Sequence, residues 1–161
     1  MNASETFDVV VVGAGAAGLT AASVAAADGA RVLLVEAASQ VGGTTAISGG
    51  MVWLPANHHM AAAGLADSLD AARSYLAQTV PPARNPALLQ TFLERGDEAL
   101  RDLEARTALR LQPVRTYPDY YPDRPGATAG GRVLEPVPFD GATLGPRFAQ
   151  LAPPLPEFML F

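Results

Sequence analysis

The N-terminal residues alternate between short apolar runs and one long uncharged stretch of small residues. Residues 7–12, FDVVVV, are typical of a buried strand in a parallel sheet. Residues 19–29, LTAASVAAADG, are rich in small helix-forming residues and end at Gly29, which suits the position after a helix. Residues 31–36, RVLLVE, predict a second strand. The pattern therefore predicts a β-α-β unit and an α/β fold.

Two helices are predicted in the middle of the chain. Residues 67–80, DSLDAARSYLAQTV, form the first, with Asp67 as N-cap and the following prolines at 81 and 82 ending it. The second begins at Pro86 after the N-cap Asn85. Residues 109–116, LRLQPVRT, predict a strand or a strand pair.

The second helix has an apolar and a charged face. Its apolar positions recur with a period of 3.6 residues and are Leu88, Leu89, Phe92, Leu93, Ala99, Leu100 and Leu103. The opposite face carries Glu94, Asp97, Glu98, Arg101 and Glu104. We interpret these charges as a solvated surface rather than a catalytic acid pair.

From Pro113 onward the chain is irregular in character. Ten of the fourteen prolines lie there, so regular secondary structure is disfavoured. The segment also holds tyrosines at 117, 120 and 121, and a disordered tail rarely contains so many aromatic residues. A long irregular segment of this kind is typically functional.

The turn after the first strand carries a dinucleotide-binding motif. It reads Gly13-Ala14-Gly15-Ala16-Ala17-Gly18, which fits G-x-G-x-x-G between a strand and a helix. Gly13 permits the tight turn, Gly15 lets the backbone approach a pyrophosphate, and Gly18 lets the helix pack on the strand. Glu36, which ends the second strand, is placed to accept a hydrogen bond from a ribose 2′-hydroxyl and would repel a 2′-phosphate. We expect the next residue, Ala37, to contact the cofactor as well. The motif alone leaves NAD and FAD open.

Composition narrows the classes of partner and chemistry. The net charge is -5 and the pI about 4.9, which argues against nucleic acid or an anionic membrane as the partner. The chain has no cysteine, which excludes disulfides and thiolate chemistry and fits a cytoplasmic location. All eleven basic residues are arginine, so a lysine Schiff base is excluded. The uncharged stretch at 9–27 is interrupted by glycines and has no basic residue before it, so we predict no membrane span or signal peptide.

The stretch after the second strand, GGTTAISGGMVWLP at 42–55, places four glycines within nine positions. Gly42 and Gly43 are read either as positive-φ loop positions or as backbone passing close to a flat cofactor. Together with DVVVVGAGAAGLTAA, this stretch resembles the fumarate reductase/succinate dehydrogenase flavoprotein family, and SGGMVWLPANH is most similar to its 3-ketosteroid Δ1-dehydrogenase branch. The resemblance implies an FAD site to which the stretch contributes Gly42, Gly43, Thr44, Thr45, Ser48, Gly49 and Gly50.

Two comparisons within this resemblance refine the expected flavin site. Disulfide-reductase flavoproteins carry a cysteine pair after the double glycine, and this chain has none. Succinate dehydrogenases place a flavin-linked histidine where Gly43 stands, so the resemblance implies non-covalent FAD. His58 and His59 are interpreted as loop histidines rather than metal ligands or a flavin link, and no metal site is predicted.

The Pro-rich segment contains PDYY at 118–121, which also resembles the ketosteroid dehydrogenase branch. The resemblance implies that Tyr120 lines the active site and stabilises a tyrosinate base that removes the proton from C2 while the flavin accepts the C1 hydride. That base is expected outside this chain. The alternative interpretation is that Tyr120 and Tyr121 pack and hydrogen-bond within their own loop.

The resemblance also predicts the organisation and activity of the chain. We expect an N-terminal fragment, with 1–112 as part of a Rossmann-like FAD-binding domain and 113–161 leading toward a substrate domain. The expected function is dehydrogenation of a CH–CH bond beside a ketone, with a hydrophobic keto substrate and an external electron acceptor. Two alternatives stay open: a C=C reductase of the fumarate type, and a truncated FAD-binding product without activity.

Overall fold

The computed structural model describes residues 5–82 and 84–158. The chain forms two compact units, one from the described parts of residues 1–50 and 138–161 and the other from Met51–Val137. The predicted domain boundary after residue 112 stays a prediction, because compactness does not show which parts fold independently. No helix in these described ranges combines the length and the apolar character needed to cross a membrane.

The first unit contains the predicted β-α-β arrangement. Strands β1 (Val9–Val12) and β2 (Val32–Val35) pair in parallel and are connected through helix α1 (Ala16–Ala27). Gly29 follows the helix at φ +91°, as predicted for its C-terminal position. This arrangement confirms the predicted α/β class.

One expectation for β1 is wrong. Val10 and Val12 are 57% and 83% exposed, although a buried strand was predicted. The side chains of β1 alternate between faces, and only one face is covered by the described residues of this unit.

The rest of the first unit follows the second strand. The short helix α2 (Gly43–Ala46) lies in the double-glycine stretch. The end of the Pro-rich segment also belongs to this unit, where Leu151 pairs in parallel with Val41. Residues 141–150 and 156–158 of this segment form 3₁₀ helices, the first of them kinked at Gly145.

The second unit packs three helices against a small antiparallel sheet. Strand β3 (Val52–Trp53) precedes α3 (His58–Ala62), α4 (Leu69–Thr79) and α5 (Pro86–Arg106).

The sheet is completed by β4 (Leu111–Pro113) and β5 (Val133–Pro136), in the order β3-β5-β4. The strand predicted within 109–116 is therefore present. Leu54, Leu100, Leu111 and Leu134 form the buried apolar cluster beneath it.

The helix ends show which local predictions hold. Asn85 accepts a hydrogen bond from the Leu88 N–H at 3.3 Å, so the predicted cap of α5 is confirmed. The predicted cap of α4 is wrong, because Ser68 accepts from the Ala71 N–H at 3.1 Å. The carboxylate of Asp67 turns instead toward the interior of the unit, as described below.

The faces of α5 also depart from prediction. Leu93 and Leu100 are buried as expected, but Leu88 is 67% exposed. Glu104 is not a solvated surface residue, since its side chain is only 11% exposed. Its carboxylate contacts both histidines, which begin α3 rather than lying in a loop.

Candidate functional site

The glycine turn of the first unit has the geometry that its sequence predicted. Gly13 lies at φ +98° and its N–H donates to the Val35 carbonyl at 2.7 Å. A Cβ on Gly18 would lie 1.8 Å from the Gly13 carbonyl oxygen, so only glycine allows α1 to pack this close to the turn. A Cβ on Gly15 would meet nothing within 4 Å, so the space beside its backbone is open.

The N-terminus of α1 offers donors toward this space. Gly15 is the N-cap, and within the described residues no side chain accepts from the first N–H groups of the helix. Ala16 and Ala17, in the first turn, are exposed. Free N–H groups and the positive end of the helix dipole attract a phosphate group.

Glu36 links the end of β2 to the glycine turn. Its Oε2 accepts a hydrogen bond from the Ala14 N–H at 2.6 Å, and its Oε1 accepts from the Ala38 N–H at 2.9 Å. The N–H groups of Ala38 and Ala14 lower the pKa of Glu36, which therefore stays ionised at neutral pH. Each oxygen keeps acceptor capacity for a further donor such as a ribose hydroxyl.

The double-glycine stretch reaches the glycine turn through its backbone. Gly42 and Gly43 have φ values of +123° and +51°, so both positive-φ positions are present. The Gly42 N–H donates to the Ala14 carbonyl at 2.8 Å, and a Cβ on Gly43 would lie 3.1 Å from the Gly15 Cα. The predicted contributors Gly42 and Gly43 thus lie directly beside Gly15.

The hydroxyl residues of this stretch fall into two groups. Thr44 and Thr45 lie exposed on α2. The Ser48 hydroxyl is used locally, because it donates to the Thr45 carbonyl at 2.9 Å and accepts from the Gly50 N–H at 3.1 Å. Gly49 has open space beside it, and Gly50 lies at φ +68°.

These residues fit the diphosphate and ribose of a dinucleotide. Open space at Gly15, an uncapped helix N-terminus and an ionised Glu36 are the three features such a ligand requires. The cofactor role of each residue, including that of Ala37, remains a prediction.

The second unit contains a pocket of about 320 Å³. Met51, Val52 and Trp53 form part of its apolar wall, and Tyr117 and Tyr120 lie among its lining residues. Tyr120 is 82% exposed and so does not pack within its own loop, but it forms a hydrogen bond with Tyr117 of the same loop, as the alternative interpretation expected. The phenol of Tyr120 raises the pKa of Tyr117 by hydrogen bonding, so Tyr117 stays protonated at neutral pH.

Aromatic stacking and one carboxylate hold the wall of this pocket. The ring of Trp53 stacks on those of Tyr75 and Phe92, with centroids 6.4 Å apart in both pairs. The Trp53 indole N–H donates to Asp119 Oδ1 at 2.7 Å. The Tyr121 N–H donates to the Tyr75 hydroxyl at 3.2 Å, which ties the PDYY segment to the same wall.

A buried ion network lies behind the pocket, and sequence reasoning missed it. Arg132 donates through Nε and Nη2 to Asp67 at 2.9 and 2.6 Å, and through Nη1 to Asp119 at 2.8 Å. All three side chains are 1% exposed. Burial raises the pKa of Asp67, but the hydrogen bonds from Arg132 and from the Ala56 N–H outweigh it and leave the pKa below its ordinary value.

This network positions the tyrosine segment. Asp119 precedes Tyr120, and its Oδ2 also accepts from the Thr128 N–H at 2.9 Å. The Arg132 guanidinium lies 5.6 Å from the Trp53 ring centroid and 5.8 Å from that of Tyr75. The sequence drew attention to Asp119 through the PDYY motif, but no motif near Arg132 indicated that the two residues pair.

Comparison with known proteins agrees with this geometry. Residues 8–158 match a family model described as an FAD binding domain. The chain is 45% identical over 149 residues to the 3-oxosteroid 1-dehydrogenase of Mycobacterium tuberculosis, covering 92% of this chain and 26% of that protein. It is 47% identical over 131 residues to the 4-oxocyclohexanecarboxylate 2-dehydrogenase of Sinomonas cyclohexanicum, covering 81% of this chain and 23% of that protein.

A solved structure is similar over nearly the whole chain. The 3-ketosteroid delta1-dehydrogenase from Sterolibacterium denitrificans, in complex with 1,4-androstadiene-3,17-dione, matches with a TM-score of 0.89 and 39% identity. The match covers 98% of this chain and 28% of that one, so the chain spans about a quarter of the length of such relatives. The resemblance drawn from the sequence is thereby confirmed. The chain belongs to the family of FAD binding domains, and FAD is its cofactor.

Proposed function

We propose that this chain is the cofactor-binding part of a flavin-dependent dehydrogenase that introduces a C=C bond beside a ketone in a steroid-like substrate. The single observation that carries the proposal is the apolar pocket with Tyr117 and Tyr120 in its lining, in a chain that belongs to an FAD-binding family. The similarity to 3-oxosteroid 1-dehydrogenases supports the choice of substrate class.

The residues of this chain have separate parts in the proposed reaction. Gly13, Gly15, Gly18 and Glu36, with the Gly42–Gly43 backbone, would hold FAD without a covalent link. FAD, when bound, supplies the acceptor for the hydride that leaves the substrate. The Tyr120 hydroxyl would donate a hydrogen bond that stabilises the tyrosinate base, which removes the proton from the carbon beside the ketone.

The protonation state of Tyr117 suits a donor role beside Tyr120. Hydrogen bonding raises the pKa of Tyr117, which opposes a role as the tyrosinate base. We therefore keep the base outside the described residues and assign Tyr120 and Tyr117 as hydroxyl donors. An external acceptor would then reoxidise the flavin. The proposal also includes a cytoplasmic location, which the cysteine-free sequence supports.

The lining of the pocket favours a neutral ketone over a keto carboxylate. Among the described residues that line it, none is an arginine, and Asp119 is the charged one. A substrate carboxylate would need a cation or several donors to compensate for its desolvation. The proposed substrate is therefore a hydrophobic cyclic ketone rather than a cyclohexanone carboxylate.

Binding of FAD tests the first part of the proposal. We expect Gly15→Ala to weaken FAD binding at least about tenfold while leaving the urea midpoint unchanged, because the new methyl group enters open space beside the helix N-terminus. Flavin fluorescence titration measures the affinity, with Gly29→Asn as the matched control at a positive-φ position outside the turn. Equal affinities of Gly15→Ala and the unsubstituted chain would contradict this assignment, and no binding by either would favour the inactive-fragment alternative.

Turnover tests the second part. Reading the coding DNA on both sides of these codons defines the natural protein, in which steroid-dependent dye reduction is then measured. We expect Tyr120→Phe to lower kcat by about 100-fold with little change in KM, the usual loss for a positioned acid–base group. Tyr121→Phe is the matched control and should change kcat less than about threefold, since its contact to Tyr75 is made through the backbone N–H.

The outcomes separate the candidate functions. Equal losses in the two tyrosine variants would contradict the role of Tyr120. Turnover of a 4-oxocyclohexanecarboxylate but of no steroid would overturn the proposed substrate. Oxidation of reduced dye by fumarate, without steroid oxidation, would establish the reductase alternative instead.

A further inference from the structure

Two adjacent histidines and one glutamate converge on a single point of the second unit. His58 Nε2 lies 3.1 Å from Glu104 Oε2, and His59 Nε2 lies 3.0 Å from the same oxygen. The histidines begin α3, whereas Glu104 comes from the last turns of α5. Their side chains are 18%, 22% and 11% exposed, so the cluster is largely shielded from water.

Both ring nitrogens of His58 face a carboxylate. Its Nδ1 lies 2.7 Å from Asp97 Oδ1, while its Nε2 faces Glu104. A neutral imidazole has one donor nitrogen and one acceptor nitrogen, so one of these contacts would set a lone pair against a carboxylate. A metal ion bound by Nε2 and by the Glu104 carboxylate would remove this conflict.

The spacing of the three ligand atoms suits a bound metal ion. In a tetrahedral zinc site with bonds of about 2.0–2.1 Å, neighbouring ligand atoms lie about 3.3 Å apart. The two contacts to Glu104 Oε2 are close to this separation, and all three ligand atoms lie within 4.8 Å of one another. Two imidazole nitrogens and one carboxylate are a ligand set that zinc accepts.

The surroundings hold each ligand in place. The Asp97 carboxylate accepts from the His58 backbone N–H at 2.7 Å and lies against Nδ1 of the same residue, which would direct the Nε2 lone pair to the metal. Glu104 Oε1 accepts from the Leu111 N–H at 2.8 Å, at the start of β4. A histidine whose second nitrogen contacts a carboxylate is the usual arrangement around a protein-bound metal.

We propose that His58, His59 and Glu104 form a binding site for a divalent transition-metal ion, zinc above all. The ion would take His58 Nε2, His59 Nε2 and the Glu104 carboxylate as ligands, and a water molecule would complete the tetrahedron. It would fasten the start of α3 to the end of α5 and to β4, which is a structural role separate from the proposed dehydrogenation. The site also departs from the sequence-based expectation that these are loop histidines and that no metal binds.

Cobalt(II) binding tests this site in the chain expressed without a histidine tag. Cobalt replaces zinc in tetrahedral sites and gives visible absorption bands there. We expect one Co²⁺ per chain, displaced by one equivalent of Zn²⁺. Glu104→Gln should weaken Co²⁺ affinity by about 100-fold or more, and Asp97→Asn by about 10–100-fold, the range found for groups that orient a ligand. Glu98→Gln, an exposed position on the same helix, is the control and should bind like the unsubstituted chain.

Far-UV circular dichroism shows which variants are folded, and only those are compared for metal affinity. His59→Gln is the additional variant, because it leaves the Glu104–Leu111 hydrogen bond untouched if Glu104→Gln does not fold. A folded, unsubstituted chain that takes up no stoichiometric Co²⁺ or Zn²⁺ would overturn the proposal. Equal metal affinity in the unsubstituted chain and in the folded ligand variants would overturn it as well.

Discussion

Replacing Arg132 by methionine tests whether the buried ion network holds the wall of the tyrosine pocket. The substitution removes the guanidinium but keeps a long apolar side chain, so loss of volume is small. Asp67 and Asp119 then remain at 1% exposure without their cation. Both carboxylates keep neutral donors, namely the Ala56 N–H for Asp67 and the Trp53 indole N–H for Asp119.

The expected loss of stability follows from burial. Removing one partner of a buried ion pair costs about 3–5 kcal/mol, because the remaining charge is desolvated and unpaired. Water screens these ion pairs little, since all three side chains are almost fully buried. Arg132→Lys keeps the charge but cannot reproduce the three hydrogen bonds that the guanidinium donates to Asp67 and Asp119. We therefore expect it to lower the free energy of unfolding by about 1.5–3 kcal/mol.

Urea denaturation followed by Trp53 fluorescence measures these losses. Arg95→Met is the matched control, because Arg95 and its partner Glu98 are 66% and 65% exposed. An exposed pair of this kind contributes about 0–1 kcal/mol. Each variant is measured at several pH values, because the stabilities of the unsubstituted chain and of Arg132→Met should change with pH in opposite directions.

The pH dependence gives the sharpest test. Arg132 leaves the pKa of Asp67 below its ordinary value, so the stability it contributes is present above about pH 3.9 and is lost as the pH falls through the folded-state pKa. In Arg132→Met the buried Asp67 carboxylate loses this cation, so we expect its pKa to rise and acid to stabilise the variant relative to the unsubstituted chain. A loss below 1 kcal/mol that does not change with pH would refute the reasoning.

Two further substitutions test the local geometry of the two units. Gly18→Ala should lower the urea midpoint by the equivalent of about 1–3 kcal/mol despite its better helix propensity, because the added Cβ would lie 1.8 Å from the Gly13 carbonyl oxygen. Gly15→Ala is its control, and a midpoint for Gly18→Ala equal to that of Gly15→Ala would contradict the close helix–turn contact. Ser68→Ala should destabilise α4 by about 1 kcal/mol in the same assay, through loss of the cap that Ser68 provides to the Ala71 N–H. Unchanged stability would mean that this cap contributes nothing measurable.

The sequence by itself determined the features that depend on a few neighbouring residues. Gly13 directly follows β1 and Gly18 lies in the first turn of α1, so motif spacing predicted both the turn and the close packing. Asn85 and Pro86 predicted the start of α5 for the same reason. The family resemblance rested on such contiguous stretches, and the comparisons confirmed it.

Only the tertiary structure decided which charged groups leave water and meet one another. Asp67 was predicted as a cap, because a lone aspartate before a helix favours that position. Its true partner, Arg132, is 65 residues away, and local pattern carries no information on pairings at that separation. His58 and Glu104 are likewise separated by 46 residues and meet only because α3 lies against α5 and β4. The energy of such groups depends on how completely packing removes water around them, and that is a property of the folded chain rather than of any segment.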